Sequence, residues 1–253
     1  MIGSLRKLQR FFDPASERSL VLALDHGAAE GMAPGIVERA ALIEALSECR
    51  VQGVALNKGA ARSMATRIPA ESNLVLQLSG GTRHGLPPYN RAIVCSVPEA
   101  LRFGADGVAV QVNIGNDLED RMLSDLGAVT EEAHQFGLPV LVSIYAVGGQ
   151  IVNEFDPSLI AHSIILGGEM GADLICVPYS GEPESFSLAI ASCPMPVLVT
   201  GGPRQPDWSG FLTLTREALD CGAAGVFVGR NVVQHEDPLS ALKELAGLVH
   251  AKE

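Results

Sequence analysis

The sequence predicts a closed (β/α)8 TIM barrel made of a single domain, residues 1–253. Three observations carry this expectation. A glycine-alanine phrase recurs ahead of short apolar runs: Gly104-Ala105-Asp106-Gly107 before 108–112, Gly171-Ala172-Asp173 before 174–177, and Gly222-Ala223-Ala224-Gly225 before 226–228. Each reads as a glycine that stops a helix, a tight turn, and a strand buried on both faces, which is how a parallel sheet is written. Eight such runs alternate with stretches of helical period, and 253 residues suit one closed barrel better than two domains.

In chain order the expected strands are 20–24, 53–57, 73–78, 107–112, 139–145, 173–177, 196–200 and 225–229, chosen as short apolar runs rich in Val, Ile and Leu. Helices are expected at about 36–49, 59–66, 97–103, 119–136, 157–170, 183–191, 209–221 and 238–250, where apolar residues recur at three and four. A further short run at 92–96 reads as part of a hairpin-like insertion. No linker or low-complexity segment divides the chain.

Composition narrows the function. Hydrophobic residues make up 47% and charged residues 19%, yet no run approaches the ~18 apolar residues of a membrane span. The start, Met1-Ile2-Gly3-Ser4-Leu5-Arg6-Lys7, has no apolar core or cleavage site of a signal peptide, so the cytoplasm is the expected location. A net charge of −11 without a basic stripe argues against nucleic-acid partners, while a small phosphorylated molecule needs only local donors. The five cysteines have no metal-ligand spacing, and no metal or other cofactor is called for.

In a barrel the chemistry gathers at the C-terminal ends of the strands. Reading those ends gives Asp25-His26-Gly27, Asn57-Lys58-Gly59, Ser79-Gly80-Gly81, Asn113, Tyr145, Cys176 to Ser180, Gly201-Gly202 and Gly229-Arg230. A carboxylate in a barrel mouth serves proton transfer once partly desolvated, and Asp25 is the candidate. A structural salt bridge to Lys58 or Arg230 is the alternative. His26 is expected to point the other way, because adjacent strand residues alternate. Tyr145 is either a proton-transfer phenol or a cap on a core strand.

The anion site is expected at the last two strand ends, where Gly201, Gly202 and Gly229 let backbone N–H groups approach a ligand and Arg230 adds a charged fork. Ser79 and Gly80 are further donor candidates. Of four lysines, only Lys58 falls at a strand end, as a nucleophilic amine or as a cation for Asp25 or phosphate. Cys176 reads as a buried apolar thiol or, in an electropositive pocket, a nucleophile.

With these residues on the page, the chain from about residue 18 onward resembles the archaeal-type class I aldolases, the group that includes fructose-bisphosphate aldolase and 2-amino-3,7-dideoxy-D-threo-hept-6-ulosonate synthase. The resemblance rests on Leu24-Asp25-His26-Gly27, Asn57-Lys58-Gly59, Leu78-Ser79-Gly80-Gly81-Thr82, Tyr145, Tyr179-Ser180-Gly181, Cys193-Pro194, Gly201-Gly202-Pro203 and Val228-Gly229-Arg230-Asn231. It implies a lyase that makes or breaks a carbon–carbon bond beside a carbonyl in a small, phosphorylated substrate, with Asp25 and Tyr145 managing protons. It also implies a homo-oligomer. The family phrase Lys-x-x-Tyr-[Thr/Ser]-Gly, whose lysine forms the Schiff base, is matched by Cys176-Val177-Pro178-Tyr179-Ser180-Gly181, so the amine is missing.

Three readings follow. Lys58 takes over as the Schiff-base residue; or the mouth runs acid–base chemistry without an imine, as an isomerase, an elimination enzyme or an aldolase, with Cys176-dependent chemistry as a variant; or the barrel binds a phosphorylated ligand without turning it over.

Overall fold

Residues 2–251 are described in the computed structural model. Eight parallel strands close into a barrel: β1 Ser19–Ala23, β2 Gly53–Asn57, β3 Asn73–Gln77, β4 Gly107–Ile114, β5 Val140–Ala146, β6 Leu174–Val177, β7 Val197–Thr200 and β8 Gly225–Val228. Each strand pairs with its sequence neighbours, and β1 pairs with β8 to close the ring. The positive φ of Gly104 (79°), Gly171 (85°) and Gly222 (102°) confirms the helix stops that the repeated phrase announces. The long helices follow the expected spans, among them Glu119–Gln135, Pro157–Glu169, Trp208–Asp220 and Pro238–Val249. Asp156, Asp207 and Asp237 cap the last three, each carboxylate accepting from a first-turn N–H. No helix among the described residues is long and apolar enough to cross a membrane.

Alternation along the strands sorts the core into two sets. Val21, Ala23, Ala55, Val75, Ala109, Leu141, Leu174, Cys176, Leu198 and Phe227 cluster inside the ring, while Leu20, Leu22, Val54, Leu56, Leu74 and Leu76 pack outward under the helices. Continuing the inward parity upward reaches Asp25, Asn57, Gln77, Gln111, Ser143 and Tyr145. The barrel is therefore apolar in its middle and polar at its C-terminal mouth.

One feature was not foreseen. Helix Ile2–Leu8 and a 3-10 turn at Gln9–Phe11 close the opposite end, and Phe11, fully buried, joins the interior cluster. Gly53 and Gly107 make room for its ring: a Cβ would stand 3.2 Å from Phe11 Cε1 at Gly53 and 3.1 Å from Phe11 Cζ at Gly107. At the mouth, the expected insertion is a strap over residues 79–93. Its base is a two-stranded antiparallel ribbon pairing Ser79 with Ile93 and Gly80 with Ala92.

Candidate active site

The mouth holds an open cavity lined by Asp25, His26, Asn57, Gln77, Gln111, Ser143, Tyr145 and Phe227 from the barrel, and by Ser79, Gly80, Gly81 and Arg91 from the strap. Asp25 and Tyr145, the expected proton-transfer pair, share this cavity. His26 shares it too, contrary to the alternation argument. β1 ends at Ala23, and His26 is already helical (φ −61°, ψ −20°), so its ring turns back toward Asp25, with Nδ1 3.6 Å from Oδ1. Gly229 makes this possible, since a Cβ there would stand 2.3 Å from His26 Cε1 and 2.5 Å from the Ala23 carbonyl oxygen. Its structural work is thus to seat His26.

Burial pushes the Tyr145 phenol up to about 12. The Thr200 hydroxyl opposes this from within electrostatic reach but outside hydrogen-bonding geometry, Cys176 and Asp25 add to it, and Arg230 opposes it. Tyr145 therefore keeps its proton at neutral pH and acts as a donor. The amide layer beside it is internally tied. Asn57 Nδ2 donates to the Asp25 carbonyl at 2.5 Å, Gln77 Nε2 to Ser79 Oγ at 2.8 Å, and Gln111 Nε2 to Asn113 Oδ1 at 3.0 Å. Ser79 Oγ also accepts from the Gln111 N–H at 2.8 Å, so its hydroxyl braces the strap as well as lining the cavity.

Lys58 is not in the mouth. Asn57 takes the inward direction, and Lys58 begins helix Lys58–Met64, where its Nζ pairs with Glu99 Oε2 at 3.3 Å on the outer side of the ring. This half-exposed pair is screened by solvent and contributes little to stability. No described lysine lines the cavity, and this geometry gives the relocated Schiff base no support.

Cys176 fares no better as a nucleophile. It lies within the interior cluster, opposite Ser143 on β5 and Leu198 on β7, with 0% exposure. Burial pushes its thiol up to about 12, against a smaller opposing pull from the Ser143 hydroxyl. A protonated thiol beneath the cavity floor is inert. Cys176→Ala and Lys58→Met are each expected to leave turnover unchanged, with no lysine adduct trapped by borohydride; loss of activity in either would restore that residue to the site.

The expected anion loops stand apart from the acid–base groups. Gly201 and Gly202 line a neighbouring cavity of about 1040 Å³ with Phe155, Tyr179, Thr200 and Phe211. The two cavities approach each other where Thr200 faces Tyr145. Gly202 has φ +63° with nothing within 4 Å of a Cβ position, an open cradle only glycine forms easily. The Gly201 N–H is already given to the Phe227 carbonyl at 3.0 Å. Asn231 staples the two loops, donating to the carbonyls of Gly201 at 2.5 Å and Pro203 at 3.2 Å. Arg230 is paired with Glu30, Nη1 to Oε1 at 2.9 Å, and lines a separate cleft behind His26. One arm of the expected fork is thus held by a carboxylate, while its Nε is buried with no hydrogen-bond partner among the described residues.

Sequence reasoning missed Arg91. It lies in an insertion without periodicity, and nothing in the one-dimensional pattern indicates that the strap folds back over the mouth. Burial pushes its pKa down, and the neighbouring Tyr145 and Asp25 pull it back up.

A closed eight-stranded barrel with titratable groups gathered at its C-terminal mouth, together with its similarity to known aldolases, defines an aldolase-type enzyme of the lyase class. The chain belongs to the DeoC/LacD family of aldolases, whose pattern it matches over residues 19–235. It is similar to the 2-amino-4,5-dihydroxy-6-oxo-7-(phosphonooxy)heptanoate synthase of Streptomyces griseus, with 35% identity over 96% of this chain and 89% of that protein. It is also similar to the class 1 fructose-bisphosphate aldolase of Thermoproteus tenax, with 33% identity over 92% of this chain and 90% of that one. Among solved structures, an archaeal fructose 1,6-bisphosphate aldolase superposes with a TM-score of 0.88 at 32% identity, covering 98% of this chain and 99% of that one. Another, with its catalytic Lys covalently bound to the carbinolamine intermediate of the substrate, gives a TM-score of 0.88 at 31% identity, covering 98% of this chain and all of that one.

Proposed function

We propose that this enzyme makes or breaks a carbon–carbon bond next to the carbonyl of a phosphorylated ketone through a free enolate, without an imine. The observation that carries the reading is the composition of the mouth cavity: Asp25, His26 and Tyr145 together, and no lysine. Such a cavity moves protons and has no amine with which to form an iminium. The substrate class follows from the relatives' compounds. A 5-hydroxy-6-oxo-7-phosphonooxy chain and fructose bisphosphate share one unit, a ketone flanked by a phosphorylated CH2 and a hydroxylated carbon. That unit, released by cleavage beyond the hydroxylated carbon, is dihydroxyacetone phosphate.

In the cleavage direction Asp25 accepts the proton of the hydroxyl two carbons from the ketone. The carbon–carbon bond breaks, an aldehyde leaves, and the electron pair passes to the ketone oxygen as an enolate. The protonated Asp25 then gives that proton to the enolate carbon and returns to a carboxylate, while Tyr145 keeps its own proton and serves as a hydrogen-bond donor in the cavity. In condensation the same steps run in reverse. The Gly202 loop is the phosphate cradle of this reading, supported by its open positive-φ backbone and the barrel's loop order.

The test is deuterium incorporation from D2O at the hydroxylated carbon of dihydroxyacetone phosphate, followed by NMR. Exchange that proceeds while borohydride traps no adduct is the expected result. Calorimetric binding of the ketone without any exchange would replace the enzyme reading by a ligand-binding barrel.

A further inference from the structure

We propose that Arg91 holds the substrate's carbonyl oxygen as that oxygen becomes an enolate, the task an iminium nitrogen performs where a lysine is available. The inference rests on the enolate reading above and supplies its missing electrophile. Among the described residues Arg91 is the only Arg or Lys lining the mouth cavity, and it lies with Asp25, the proposed base, and the Tyr145 phenol. A base and an electrophile are thereby placed around one small space.

The placement is built. Arg91 Nη1 donates to the carbonyls of Pro88 at 3.2 Å and Asn90 at 2.9 Å, which fixes the plane of the guanidinium. Arg121, on helix Glu119–Gln135, reaches over to donate to Asn90 Oδ1 and to the Arg91 carbonyl. Gly81 leaves the space these groups need: a Cβ there would stand 2.3 Å from the Asn90 carbonyl oxygen and 2.9 Å from Arg91 Nη1. The strap is further pinned where the Arg83 N–H donates to the Ala29 carbonyl at 3.1 Å and Asn113 Nδ2 donates to the Tyr89 carbonyl at 2.5 Å. Ala29 lies on the short helix Gly27–Glu30 after β1, and Asn113 near the end of β4. No protein acceptor among the described residues takes Arg91 Nε or Nη2, so the fork retains donors for a ligand.

Chemically, a base at Asp25 removes a proton from the carbon beside the carbonyl. The C–H pair becomes the C=C bond, and the carbonyl π pair moves onto oxygen beside the guanidinium. A preorganised donor in a partly water-excluded site stabilises such charge without reorganisation. Nothing is oxidised or reduced, and the proton returns from the same cavity.

The experiment measures deuterium exchange into dihydroxyacetone phosphate by wild type, Arg91→Met, Arg91→Lys and Arg91→Gly, with inorganic phosphate affinity measured in parallel by calorimetry. Circular dichroism melting establishes that each variant is folded. Arg91→Met is expected to lose about 10²–10³-fold in kcat, with KM and phosphate affinity little changed. Arg91→Lys should retain more activity than Arg91→Met, and free guanidinium should restore part of the rate to Arg91→Gly where sodium does not. An unchanged kcat in Arg91→Met, or a loss confined to KM and phosphate affinity, overturns the assignment while wild-type exchange stands. Absence of exchange in the wild type overturns the enolate reading itself and this assignment with it.

Discussion

Asp25→Asn is expected to slow deuterium exchange into dihydroxyacetone phosphate by about 10²–10⁴-fold while leaving the fold and phosphate affinity intact. The substitution preserves shape and removes the basic oxygen. The neighbouring bond survives it, because Asn57 donates to the backbone carbonyl of Asp25 and not to its carboxylate. His26 remains, 3.6 Å from the altered group, and its ring is the only other base in the cavity. An undiminished rate in Asp25→Asn would transfer the proton-accepting role to His26. A pH–rate profile would then report an imidazole in place of a carboxylate. Tyr145 does not compete for that role, since burial keeps its phenol protonated far above neutral pH.

Phe11→Ala is the change expected to cost most in stability, about 3–5 kcal/mol for a buried phenylalanine that leaves a cavity behind. For a chain of this size that corresponds to a melting-temperature drop of roughly 6–20 °C. Two glycines face the ring from β2 and β4, so no side chain on those strands can collapse into the space. Urea unfolding of the purified protein reads the loss directly. A loss under ~1 kcal/mol would show that the bottom of the barrel holds without its plug. Phe11 lies ahead of the family-matched residues 19–235.

The strands were legible because a parallel barrel writes each one as a short apolar run preceded, three times over, by a phrase that a glycine turn requires. Expected and observed strand ends differ by one or two residues, the scatter of fraying termini. The site was legible only in part, and the dividing line is physical. Asp25 and Tyr145 lie within the inward parity of β1 and β5, so strand position identified them. Lys58 was placed by being the right chemical type at a strand end, although Asn57 beside it had the inward direction. The alternation rule applied to Asp25 and His26 would have excluded Lys58; for His26 it failed, because the strand had already ended. Arg230 was read as free because its partner, Glu30, is 200 residues away and no local pattern joins them. Arg91 belongs to a strap whose course is set by anchors to Ala29, Asn113 and Arg121, contacts that exist only after folding.

That strap separates two kinds of inheritance within one molecule. Side chains on the strands are locked to a shared register, so altering one disturbs the ring on both sides. The guanidinium arrives on a surface hairpin whose length and composition can drift without shifting any strand pair. A barrel organised this way can exchange its electrophile as a cassette, changing what the mouth accepts while the proton-handling groups stay in place.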